Sequence, residues 1–300
     1  MDVAKLTAVL YTHGGRPADY FGIDRVPGPV LPLICVPTTS GTGSEVSHAA
    51  VATDAENQIK VSTLSNYLRP AAAVVDPQLT YGCPKTVTAD SGIDALTHAI
   101  ESYTAIDYDQ LPVPANEPLA YGGRNPLGNC LAEEAIKLIG QHLVNAVLHP
   151  DNHAARDGMS LAATVAGLSF SNCGVALVHA LEYPIGGALH CSHGAGNGLL
   201  LPYVMRFNFP NRKTSFARIA ELLGEDITGL SKDAAAERAI SAVERIRHEI
   251  GIPQRIRDIG GREDQLPTFA EKAFAIKRLM WMNPRQPSCE DLLEILRAAF

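Results

Sequence analysis

Leu31-Pro-Leu-Ile-Cys-Val36, running into Pro37-Thr-Thr-Ser-Gly-Thr-Gly-Ser-Glu45, is the stretch that decides the fold class. A short apolar run bounded by turn residues reads as a buried strand of a parallel sheet. The loop behind it gathers hydroxyls and backbone N–H groups at a strand's carboxyl end, where open α/β sheets bind their ligands. Its glycines fit neither GxGxxG nor a P-loop, so the pattern alone leaves a ligand loop and an ordinary surface loop both open. Ala72-Ala-Val-Val75, ending in Asp76-Pro77, repeats the strand pattern, and weak alternation over 50–62 predicts a hairpin. Upstream, Val3, Leu6, Val9 and Leu10 fall near helical spacing behind Asp2, and Gly14-Gly15 ends that helix. A parallel sheet ordinarily feeds such a helix from a preceding strand, and none precedes this one; the chain reads as starting inside a βαβ unit.

Past Pro84 the texture changes to punctuated helices. The patterns predict helices over 86–103, 126–148, 151–173, 175–182, 194–208, 213–223, 231–250, 266–282 and 288–299. Asn125-Pro126 supplies a cap followed by proline at the first helical position. No strand pattern follows residue 80, and a Pro/Gly/Tyr-rich loop fills 105–123, long enough to carry a function or form a lid. The organisation is α/β followed by all-α, with residues 1–84 as one domain and 85–300 as the other.

Composition narrows the class. The 300 residues are 46% hydrophobic and 19% charged, with a formal charge of −7 and no block of like charge. That is globular composition, and it gives no support to a nucleic-acid or anionic-membrane partner. The longest apolar runs are far too short to span a bilayer. Met1-Asp-Val-Ala-Lys5 lacks the basic-then-apolar layout of a secretory leader, and six cysteines without a CxxC read as reduced thiols. A cytoplasmic location is the expectation.

Candidate chemistry lies in the helical half. Asp94-Ala-Leu-Thr-His98 sets a carboxylate and an imidazole four residues apart on one helical face, where they can converge on a divalent ion or simply bond along the helix. His179 sits in an apolar helical stretch that Pro184 and Gly186-Gly187 are expected to break, turning the chain back. Beyond that turn His190 and His193 are alternative ligands. Three imidazoles and a carboxylate suit Fe²⁺ or Zn²⁺ and leave a coordination position open.

The assembled pattern resembles the iron-containing (group III) alcohol dehydrogenase family. Val36-Pro-Thr-Thr-Ser-Gly-Thr-Gly-Ser-Glu-Val46 is similar to the family's PTTxGTGSEVT loop, with Ser47 in place of the final Thr. Val75-Asp76-Pro77 and Ser91-Gly-Ile-Asp-Ala-Leu-Thr-His-Ala-Ile-Glu101 resemble its DP and GxDALTHAxE signatures. Asn125-Pro126, Val178-His179, Pro184, Ser192-His193-Gly194, Leu201-Pro202 and Asn283-Pro-Arg-Gln-Pro287 continue the likeness over essentially the whole chain.

The resemblance implies a Rossmann-like nucleotide-binding domain and a helical metal-binding domain, with the active site in the cleft between them. It implies Asp94, His98, His179 and His193 as metal ligands, so His193 rather than His190. It implies Thr38, Thr39, Thr42, Ser44, Lys60 and Leu79 as contacts to NAD or NADP. Glu101, one turn past His98, is read as either a hydrogen-bond partner of a ligand histidine or a solvated charge. The family's GGGS phosphate turn would precede Asp2-Val-Ala-Lys5, so the nucleotide domain is expected to be a truncated one. Tyr183 stands where many relatives carry a further histidine. With the 105–123 insertion, it resembles the hydroxyacid-oxoacid transhydrogenase branch and is the candidate relay for the alcohol proton. The expected function is metal-dependent hydride transfer between a small alcohol or hydroxyacid and a nicotinamide cofactor, in a homodimer. A transhydrogenase and a non-catalytic metal-binding remnant are the alternatives, and a metal hydrolase is a remoter third.

Overall fold

The computed structural model describes residues 1–54 and 59–300. Its α/β part holds α1 (Asp2–His13), β1 (Gly22–Ile23), β2 (Ile34–Cys35), β3 (Ala49–Asp54), β4 (Ile59–Leu64) and β5 (Ala72–Ala73). Helices α2 (Lys85–Thr104), α3 (Pro126–Leu148), α4 (His153–Cys173) and α5 (Leu177–Leu189) follow. The chain ends with α6 (His193–Leu222), α7 (Lys232–Glu249), α8 (Leu266–Phe274), α9 (Lys277–Met282) and α10 (Cys289–Ala298). The fold is α/β followed by all-helical, as expected. No single described helix is long and apolar enough to cross a membrane.

The hairpin predicted over 50–62 is present. β3 and β4 pair antiparallel from Ala49↔Leu64 to Asp54↔Ile59, and the tip at 55–58 lies outside the described residues. β1, too short to leave a sequence signal, adds parallel to β4 through Gly22↔Thr63 and Ile23↔Leu64. The two buried strands expected at 31–36 and 72–75 are corrected by the structure. They shrink to the two-residue pairing Ile34↔Ala72 and Cys35↔Ala73. Ile34 is 69% exposed, because β2 bonds only to β5 and no described strand covers its other side.

Polar contacts help to seat α1. The Asp2 carboxylate accepts from Ser44 Oγ at 2.9 Å and from the Val51 N–H at 3.2 Å. Lys5 is fully buried, and its Nζ donates to the carbonyls of Ser44, Ser47 and Ala49 at 2.8, 2.9 and 2.8 Å. Removal from water lowers its pKa to about 8, the carbonyl cradle and nearby carboxylates notwithstanding. A small apolar cluster of Leu6, Val9, Tyr20, Val26, Ala50 and Leu68 lies beneath this helix.

The main core runs through α2 to α10 and takes in Leu64 of β4. Among the contacts that stitch the halves together, two seat α4 against the loops before α2. A Cβ on Gly43, whose φ is +58°, would stand 2.5 Å from Gly167 Cα, so the Thr/Gly loop lies directly on α4. Arg156 of α4 donates to the carbonyls of Thr80 and Cys83 at 2.7 and 3.3 Å, holding the turn that leads into α2.

Three helix boundaries differ from expectation. α5 does not break at Pro184 and Gly186-Gly187 but continues to Leu189 and ends on His190 in the left-handed region (φ 53°). Proline there removes only the bond to the Ala180 carbonyl, and burial of the helix from Leu177 to Gly187 outweighs that loss. The helix expected over 266–282 instead divides into α8 and α9 around Ala275 and Ile276. The separate helices expected over 194–208 and 213–223 form α6, interrupted at Arg212 (φ −133°, ψ 26°).

Candidate metal centre

Glycines bring the site together. On α6, a Cβ at Gly194 would meet the Asp90 carbonyl oxygen at 1.9 Å, and one at Gly198 would meet Ile93 Cγ1 at 2.6 Å. One turn apart, the two let α6 lie against α2 and carry His193 up to Asp94. From α5, His179 enters through the α2–α5 contact. Glu101 Oε1 accepts the Val178 N–H at 2.7 Å, satisfying an otherwise unpaired donor in the first turn of α5. Glu101 Oε2 accepts from His179 Nδ1 at 2.5 Å. Of the two readings of Glu101, the solvated one is overturned: the side chain is only 4% exposed and bonded to His179.

Asp94, His179 and His193 each offer one ligand atom, and those atoms all lie within 4.8 Å of one another. At their focus stands the Asn197 amide nitrogen, 2.8 Å from Asp94 Oδ1 and 3.2 Å from both His179 Nε2 and His193 Nε2. That nitrogen lies within hydrogen-bond reach of all three electron-pair donors, which therefore converge on one point. His193 Nδ1 donates to Glu182 Oε2 at 2.6 Å. With both Nδ1 atoms committed to carboxylates, the Nε2 lone pairs of His179 and His193 face inward, the tautomer a metal ligand needs.

His98 stands at the edge of this group. Its ring stacks between Phe170 and His179, at centroid distances of 4.3 and 4.8 Å. Its Nδ1 is 4.0 Å from Asp94 Oδ2 and is a buried nitrogen without a hydrogen-bond partner. Burial holds its pKa down to about 4, against the pull of Asp94, so the imidazole is neutral near pH 7. Burial works to raise the pKa of Asp94, but the three neighbouring imidazoles outweigh it and keep the carboxyl below its ordinary range. Likewise burial opposes charge on His193, yet Glu182 and Asp94 raise its pKa. An anionic oxygen, two inward lone pairs and a neutral orphan imidazole fit a divalent cation.

The nucleotide-contact candidates separate. Thr38, Thr39 and Thr42 lie on the loop over α4, and Cys83 Sγ donates to the Thr38 carbonyl at 3.1 Å, bringing the turn that bears exposed Leu79 alongside. Ser44 is turned inward, its hydroxyl committed to Asp2. Lys60 is not with them. It stands in the metal group, with Nζ 2.5 Å from Glu182 Oε1 and 3.3 Å from His193 Nδ1. Strand β4 packs on α5, which carries Lys60 to the helical half rather than to the loop.

Tyr183 is buried beside His193, with ring centroids 6.2 Å apart and its hydroxyl 3.4 Å from Ser62 Oγ. It lines a cleft of about 510 Å³ with Lys60, Ser62, Arg278 and Trp281. His190 is exposed at the end of α5 and takes no part. Sequence reasoning missed Glu182 and Asn197. The signal was available in spacing: Glu182 is three residues past His179 and Asn197 four past His193, each on its ligand's face of the helix.

Comparison with known proteins gives a consistent picture. The family model described as "Fe-containing alcohol dehydrogenase family, C-terminal" matches residues 115–300, and "Iron-containing alcohol dehydrogenase" matches residues 1–77. An NAD-dependent methanol dehydrogenase of Bacillus methanolicus is 37% identical over 298 residues, covering 99% of this chain and 74% of the relative. A 1,3-propanediol dehydrogenase of Klebsiella pneumoniae is 38% identical, covering 100% and 73%. The crystal structure of a 1,3-propanediol oxidoreductase superposes with a TM-score of 0.90 at 38% identity, covering 100% of this chain and 74% of that one.

Proposed function

The chain belongs to the iron-containing alcohol dehydrogenase family, and from that membership we propose that Asp94, His98, His179 and His193 hold the metal of a dehydrogenase acting on small alcohols. The observation that carries this assignment is the focus of Asp94 Oδ1, His179 Nε2 and His193 Nε2 on the Asn197 amide nitrogen. Iron is the metal proposed, since nitrogen-rich mixed donors suit Fe²⁺ and the family is named for it. NAD is the cofactor proposed, by likeness to the methanol dehydrogenase relative, with Thr38, Thr39, Thr42 and Leu79 beside it. The nucleotide part is taken as residues 1–84 and the metal-binding part as 85–300. A homodimer in the cytoplasm completes the proposal, in keeping with six free cysteines.

When bound, the metal supplies Lewis acidity that loosens the alcohol proton, and the nicotinamide accepts the hydride. The chain's own residues do the rest. Glu101 and Glu182 fix which ring nitrogen of His179 and His193 carries the proton. Lys60 balances the buried charge of Glu182. Tyr183 Oη takes up the alcohol's proton as its own passes to Ser62 Oγ, 3.4 Å away at the cleft wall, and the Ser62 hydroxyl gives up its proton in turn to solvent in the open cleft.

Metal content after anaerobic loading tests the ligand set. His193→Ala should lower retained iron at least tenfold against a chelator, while His190→Ala should match the wild type; equal effects of the two would refute the assignment. Oxidation of 1-butanol with NAD by the loaded protein tests the activity, and metal retention without hydride transfer would leave the remnant reading. Turnover of a hydroxyacid with an oxoacid and no free nucleotide would identify the transhydrogenase branch.

A further inference from the structure

We propose that the cleft beside the metal centre selects a substrate with an anionic end, a short alcohol or aldehyde bearing a carboxylate or sulfonate that Arg278 binds. The inference rests on the dehydrogenase reading and names its substrate class.

Among the described residues the cleft wall carries four cations, Arg25, Lys60, Lys277 and Arg278, against a single carboxylate, Glu117. Lys60 is neutralised within the fold by Glu182. Arg278 is not: among the described residues no carboxylate pairs with it. Its Nη2 donates to Ser62 Oγ at 2.8 Å, which fixes the plane of the guanidinium. Its Nη1 is buried and has no acceptor among the described residues. Leaving a guanidinium donor buried and unpaired is costly. The fold therefore sets at the cleft wall a directional cation that no carboxylate answers among the described residues, and oxyanion heads match its fork.

Its position suits a substrate already engaged at the metal. The Arg278 guanidinium carbon is 6.0 Å from the centroid of the Tyr183 ring, which is 6.2 Å from that of His193. A chain of a few carbons spans the gap between an oxygen at the ligand cluster and a head group at Arg278. Ser62 serves both ends, accepting from Arg278 and lying against the Tyr183 hydroxyl, so head-group binding and the proton path meet at one side chain.

Trp281, the only tryptophan in the chain, lines the same cleft and reports on occupancy without metal, nucleotide or turnover. The metal-free protein is titrated with butanoate, with propanesulfonate and with 1-butanol, following Trp281 emission. Saturable change with either anion and none with 1-butanol at equal concentration is expected, the tighter anion identifying the natural head group. Arg278→Gln should weaken anion binding at least tenfold, and Arg278→Lys should fall between, retaining charge without the fork. In the loaded enzyme, the preference for 4-hydroxybutanoate over 1-butanol in kcat/KM should fall at least tenfold in Arg278→Gln. Binding of 1-butanol as tight as that of the anions, or an unchanged anion affinity in Arg278→Gln, overturns the proposal. Failure there alongside 1-butanol oxidation sinks the anion site alone. Anion binding without any alcohol oxidation sinks the dehydrogenase reading instead.

Discussion

Glu182 answers two partners at once, giving one oxygen to Lys60 at 2.5 Å and the other to His193 at 2.6 Å. Burial works against its charge, but His193 and Lys60 together hold its pKa below the usual carboxylate range. Glu101 does the same service for His179. Replacing either with glutamine keeps the shape but lets the amide present its N–H₂ to the ring. Glu101→Gln and Glu182→Gln should each weaken metal binding by roughly 10–100-fold in chelator competition; affinity unchanged in both would show that these contacts do not orient the ligands. Away from the site, His48 is buried against Ser171 and its pKa is lowered to about 4, by burial first and then by Arg69. The unfolded chain, with a histidine pKa of about 6.5, takes up that proton first as pH falls. The stability that neutral His48 leaves intact at pH 7 is thus lost between about pH 6.5 and 4. From pH 7 to 4.5 the wild type should lose about 2 kcal/mol more than His48→Gln in urea unfolding of the metal-free protein. Parallel losses in the two proteins would contradict this.

Helices and loops meet here at glycines, and those contacts set the site's geometry. The close approach of α6 to α2 at Gly194 leaves no room for a methyl group beside the Asp90 carbonyl. Gly194→Ala should cost about 1–3 kcal/mol by denaturant midpoint and should also weaken metal binding, because His193 moves with the start of α6. Gly82→Ala is the control: nothing lies within 4 Å of its Cβ position, and stability should change by less than about 0.5 kcal/mol. A Gly194→Ala protein as stable as that control would mean that the two helices slide apart freely. The cap of α3 was legible in sequence because it is local: Asn125 accepts the Gly128 N–H at 2.9 Å. The run of α5 through Pro184 was not, since the packing that overrides the proline comes from α6, α8 and β4.

Across the molecule, burial is uneven. The helical part encloses one continuous core, whereas α1, β2 and the segment after β5 leave large apolar side chains open: Val3 is 79% exposed, Tyr11 78% and Ile34 69%. Surface of this kind favours association or dye binding. The chain should bind the hydrophobic dye ANS at neutral pH, and Ile34→Lys with Val3→Glu should reduce that binding severalfold while leaving metal affinity unchanged. Dye binding unaffected by the pair would place the sticky surface elsewhere.

By itself the sequence determined the division into an α/β part and a helical part, the hairpin, most helix limits and the three candidate ligands, Asp94, His179 and His193, that the fold brings together. Those depend on local signals, periodicity, caps and turns, or on motifs whose residues stand close together in the chain. Tertiary structure alone decided that Asn197 stands at the focus of the ligands, that Glu182 joins Lys60 to His193, and that Lys60 faces the metal group rather than the nucleotide loop. It alone decided that the strand at 31–36 is an exposed edge and that Arg278 keeps an unanswered donor. Each of these joins groups contributed by separate elements, such as Lys60 and Glu182 or Asp94 and Asn197, and distance through space between elements leaves no period or spacing along a single chain.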